Sequence, residues 1–131
     1  MQYVILAIIL LVIIGIIIGA LLVGRKRFLS GSALQQIKHA WKKVEAIENP
    51  NLQIMEADKV LDHALKLLGY KGSLGEKLKQ AGPRFNDLNA VWYAHKLRNT
   101  LAHEMNAQIF RTETEKAMRI FRRALGDLGM R

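Results

Sequence analysis

The chain has 131 residues, half of them hydrophobic, with a formal charge of +9 and no cysteine. Disulfide scaffolds, thiolate metal sites and cysteine nucleophiles are thereby excluded. All 20 Lys and Arg and all 11 Asp and Glu follow Gly24, so the rest of the chain, enough for one small domain and too short for two, holds the whole charge. Such a basic domain points to polyanions, either nucleic acid or anionic lipid, or to a generally basic solvated surface.

Tyr3 to Val23 is an unbroken apolar run. A bilayer core needs roughly 20 residues of helix, so this run is long enough to span. No basic residue precedes it, unlike the start of a cleaved signal peptide, and it reads as an uncleaved anchor. The division is a transmembrane anchor over 1–24, a basic juxtamembrane linker over 25–30 and an α-helical domain over 31–131. Arg25, Lys26 and Arg27 follow the anchor at once. The positive-inside bias then puts the N-terminus outside the cell membrane and the domain in the cytoplasm. The same three side chains can rest on anionic headgroups. Gly15 and Gly19 form a GxxxG, and Ala20 and Gly24 repeat the spacing, which lets two membrane helices approach closely. Glycines are common in membrane helices in any case.

The spacing of Leu34, Ile37, Trp41, Val44 and Ile47 predicts a helix from Ser30 or Ser32 to Glu48, ended by Asn49-Pro50. A second runs from about Asn51 to Leu68, with Ile54, Ala57, Leu61, Ala64, Leu65 and Leu68 on its buried face. Ser73 and Glu76 fit the capping box of a short third helix, closed by Gly82-Pro83. The fourth is the long stretch Asn86–Glu104, free of Gly and Pro and opened by Asn-Asp. The last starts near Thr112, with Thr112 and Glu115 as a capping pair, and buries Ala117, Ile120, Phe121, Leu125 and Leu128. No stretch alternates with period two. The soluble part is all-α, a small up-and-down bundle of four main helices and one short one.

The fourth helix carries the chemistry. Leu88, Val91, Trp92, His95, Arg98, Asn99, Ala102 and His103 share one broad side, while Ala90, Ala94, Leu97 and Leu101 lie opposite. The first side turns polar halfway along without swinging to the solvent side, so its polar groups need buried partners, a second chain or a ligand. Arg98-Asn99-Thr-Leu-Ala-His103 has the form R-N-x-x-x-H. It joins a permanent cation with a donor fork, an amide and an imidazole, groups suited to phosphodiester cleavage. On a straight helix Arg98 and His103 lie about 140° apart. From spacing alone a structural arginine and a satisfied histidine are the plainer reading.

The segment His95-Lys-Leu-Arg98-Asn99-Thr-Leu-Ala-His103-Glu resembles the R-N-x-x-x-H signature of the HEPN superfamily of small helical bundles. As architecture the resemblance covers about residues 31–127; as a motif it covers only Arg98, Asn99 and His103. It implies a metal-independent ribonuclease that needs no cofactor and acts as a homodimer, the two motifs meeting across the interface. In such an enzyme the RNA 2′-hydroxyl attacks the adjacent phosphate. Arg98 would hold that phosphate, His103 would act as acid or base, and Asn99 would orient one of them. Stress or phage defence is the setting implied. Other members are non-catalytic interaction modules, and a membrane anchor is not part of the usual pattern.

His95, two turns before His103, can line the same site or serve as a hydrogen-bonded interface histidine. Asp58 and Asp62, four apart, could hold Mg²⁺, but no third ligand converges and Asp62 with Lys66 makes an ordinary i,i+4 pair. Arg119, Arg122 and Arg123, beside Lys116, form a basic side of the last helix that fits nucleic acid, lipid or plain solvation. Trp41, Trp92 and Tyr93 fall at packing positions.

Overall fold

The structure, a computed structural model, describes residues 1–23, 27–104 and 106–131. Arg25 and Lys26 of the basic cluster, and Gly24 of the small-residue repeat, lie outside the described residues. Those described form six α-helices and one 3-10 turn, with no strand among them. The helices are α1 (Gln2–Val23), α2 (Gly31–Glu45), α3 (Pro50–Leu67), α4 (Leu74–Ala81), α5 (Leu88–His103) and α6 (Arg111–Asp127). The 3-10 turn, Gly82–Arg84, follows α4. From Gln2 to Ala20, α1 is long and apolar enough to cross a bilayer, and none of that length is covered by the rest of the chain.

Two helix ends differ from expectation. The Asn49-Pro50 pair starts a helix rather than stopping one: Asn49 Oδ1 accepts from the Leu52 N–H at 3.0 Å and Pro50 takes the first helical position. α2 therefore ends at Glu45, its last turn tightening through Ala46 N–H to Lys43 O and Ile47 N–H to Val44 O. α6 begins at Arg111, and Glu113, not Glu115, folds back to accept from the Phe110 N–H. The other caps fall where expected. Ser73 and Glu76 bond reciprocally at α4, and Asp87 caps α5 by accepting from the Ala90 N–H.

α3 is central, packing against α2, α4, α5 and α6. Ile54, Ala57, Leu61, Ala64 and Leu65 of α3 are fully buried, and Ala117, Phe121, Ala124 and Leu125 of α6 join them in one core. Each large side chain taken out of water there stabilises the fold by about 1.5–3 kcal/mol. Trp41 is buried in α2 and donates to Glu45 at 2.7 Å, while Trp92 and Tyr93 are half-buried at the core's edge. The ends of the helices are tied as well. Leu29 N–H donates to Leu128 O at 2.8 Å, and Asn86 holds the Asp127 carboxylate through its backbone N–H and its side-chain amide. The start of α5 thus meets the end of α6, so these two helices run antiparallel.

Candidate functional site

The polar half of α5 has a buried partner, and it is Asp58. This carboxylate sits on α3 beside the apolar stripe, with its side chain only 6% exposed. One oxygen lies 2.8 Å from His95 Nδ1 and the other 3.3 Å from Arg98 Nε. The second contact is an ion pair whose geometry falls short of a hydrogen bond, so the buried Arg98 Nε–H has no hydrogen-bond acceptor among the described residues. Arg98 Nη1 donates to Asn99 Oδ1 at 3.1 Å, and Asn99 Nδ2 lies 3.3 Å from His95 Nε2. Asp58, His95, Asn99 and Arg98 therefore close a ring.

That ring fixes the histidine tautomer by elimination. Arginine only donates, so the Asn99 oxygen must face it and the Asn99 nitrogen must face His95. The His95 Nε2 then accepts, and the ring proton sits on Nδ1 and goes to Asp58. Trp92 braces the imidazole edge-on, with ring centroids 6.0 Å apart.

The ring borders a cavity of about 430 Å³, closed on its other side by Lys59, Asp62 and the Gly72–Gly75 turn that opens α4. Asp62 is engaged by Lys77 at 2.8 Å, in place of the expected pairing with Lys66. Lys77 lies between Leu74 and Leu78 of α4 and is itself buried, and pairing with that carboxylate offsets the cost of taking it out of water. Both aspartates considered for Mg²⁺ are thus committed to cations. In the cap of α4 the Glu76 carboxyl is held below its ordinary range, first by the backbone N–H of Ser73 and then by its hydroxyl.

Of the expected site residues, Arg98 and Asn99 meet, joined by His95. His103 does not reach them. It is exposed in the last turn of α5, with no hydrogen bond or ion pair among the described residues. The basic side of α6 is divided. Arg119 and Arg122 line a groove with Trp41 and Glu115, whereas Arg123 lines a separate cavity between α5 and α6. Lys116 lies over the Tyr93 ring, 4.5 Å from its centroid.

Sequence reasoning passed over Lys77, and it weighed Asp58 as a Mg²⁺ ligand without seeing it as the partner of His95 and Arg98. Each has a signal: Asp58 is four after Ile54 and three before Leu61, and Lys77 is three after Leu74 and four before Ala81. A charge within an apolar stripe calls for an opposite charge across the interface.

No family model, curated protein or solved structure matches the chain.

Proposed function

We propose that this chain is a membrane-tethered, metal-independent endoribonuclease, an up-and-down HEPN-like bundle working as a homodimer on the cytoplasmic face. One observation carries the reading. In an open cavity the structure sets a guanidinium whose Nη2 has no bond among the described residues beside an imidazole whose Nε2 is an acceptor.

In that reading Arg98 takes the scissile phosphate and offsets charge gathering on its non-bridging oxygens. The 2′-oxygen attacks phosphorus; the O2′–P bond forms as the P–O5′ bond breaks. One imidazole takes the 2′-proton and another delivers a proton to the departing 5′-oxygen. The products are a 2′,3′-cyclic phosphate and a 5′-hydroxyl. His103 is one of these imidazoles, and His95, once Asn99 turns aside, fits the other. Their eight-residue separation is about 12 Å of helix rise, farther apart than the reacting oxygens of one phosphate. A second copy bringing its own His103 closes that gap. Gly15 and Gly19, one turn apart on α1, support pairing in the membrane, since their lack of side chains lets two helices approach closely.

A second reading has its own support. The ring satisfies Asp58, His95 and Asn99 internally, as the polar seam of a non-catalytic interaction module would. The full chain and its His103→Ala variant, incubated with RNA in EDTA, separate the two. Because His103 is exposed and unbonded, a catalytic role predicts lost cleavage at unchanged thermal stability and unchanged dimer content. Intact RNA with the unaltered chain, together with a dimer weakened by His103→Ala, selects the interaction module.

A further inference from the structure

The segment just after the anchor is fastened to one end of the bundle. Leu29 is bonded to Leu128, and Gly129, at φ +116°, lets the C-terminal turn close on it. A Cβ at Gly129 would come within 3.0 Å of the Leu29 nitrogen. Arg84, from the 3-10 turn, donates to the Arg27 carbonyl and lies over the Phe28 ring, 5.4 Å from its centroid. Only three residues separate Arg27 from the last residue of α1. Four Cα steps reach at most about 14 Å. If α1 spans the bilayer, this end of the bundle is held within that distance of the headgroups.

The chemistry of the end suits the position. Arg27, Arg123 and Arg131 are exposed there, Arg84 is half-exposed, and Phe28 is 55% exposed despite its size. Arg123 and Arg131 border one cavity of about 340 Å³ with an apolar floor of Val91, Ile120 and Ala124. The carboxylates at this end are occupied: Asp127 accepts from Asn86, and Asp87 caps α5. Asp87 and Asp127 line the same cavity as Arg123 and Arg131, but no ion pair joins them to these arginines among the described residues, and the four cations outnumber the two carboxylates.

We infer that this end of the bundle, carrying Arg27, Phe28, Arg84, Arg123 and Arg131, docks on anionic lipid headgroups of the bilayer that α1 crosses. The inference rests on the anchor reading above and adds an orientation to it. Arg98 lies ten residues beyond Leu88, about 15 Å along α5, and His103 about 22 Å. The proposed site is thus raised off the lipid surface into water, where RNA reaches it.

The absence of cysteine makes the test direct. The full chain carries a single labelled cysteine, at Arg131→Cys on the docked end or at Arg111→Cys on the far end. It is reconstituted in vesicles of mixed anionic and zwitterionic lipid with a headgroup-attached quencher. Quenching several-fold stronger at position 131 than at 111 is expected. That difference should shrink when Arg27, Arg84 and Arg123 are changed to Gln, or when the anionic lipid is omitted. Equal quenching at both ends, or a difference indifferent to lipid charge, overturns the docking while leaving the anchor standing. Failure of the chain to float with vesicles overturns the anchor and the docking together.

Discussion

α3 presents two unlike interfaces from one helix. Its core stripe of Ala57, Leu61, Ala64 and Leu65 is sealed together with the apolar face of α6. Towards α4 and α5 it offers Asp58 and Asp62, which meet His95, Arg98 and Lys77 at the border of an open cavity. Apolar contact stabilises a fold at little risk, whereas taking charges out of water costs several kcal/mol per ion and is only partly offset by pairing. The α3–α6 face therefore explains why the chain folds. The α3–α5 face, if stability were its only purpose, would be better built from leucines.

Breaking the polar side should have the largest effect. Asp58→Ala leaves Arg98 and His95 partly buried without their carboxylate, and urea unfolding should register a loss of about 3–5 kcal/mol. Breaking the apolar side is nearly as costly but different in kind. Leu61→Ala should destabilise by about 2–5 kcal/mol and, on the proposed endoribonuclease reading, leave RNA cleavage per folded molecule unchanged. A fall in specific activity with Leu61→Ala would mean that the two sides are not separable.

These contrasts were unevenly visible in the amino-acid order. The apolar stripes of α2, α3 and α6 could be read directly because a 3.6-residue period is local information. So could the Ser73–Glu76 box, where both partners lie within one turn. The role of Asn49 was misjudged because Asn-Pro equally ends one helix and begins the next, and only the tertiary path decides. In the site, Arg98 and Asn99 were legible as neighbours on a polar half-helix. Their partner Asp58 lies 40 residues before Arg98, and no local pattern pairs them. The distance of His103 from the ring was foreshadowed by the 140° offset from Arg98. What fills that gap is a question of assembly, beyond one chain's order.

The smallest effect concerns the cap of α4. Because Glu76 has its folded pKa depressed by Ser73, it adds stability above the ordinary carboxylate range. That contribution is lost as pH falls through the lowered value. Melting curves of Glu76→Gln should therefore decline less on the acid side than those of the unaltered chain. Parallel declines would show that the cap carries no such linkage.

The most direct test replaces the charges of the ring together. Asp58→Leu, His95→Leu and Arg98→Met in one full-length chain remove the charged members and leave an apolar α3–α5 interface. If the ring is maintained for RNA cleavage, the triple variant unfolds at the same or a higher urea concentration, by up to about 4 kcal/mol of added stability. It then cuts no RNA in EDTA, while the unaltered chain does. A triple variant that loses stability, beside an unaltered chain that leaves RNA intact, would contradict the account and make the ring a structural seam.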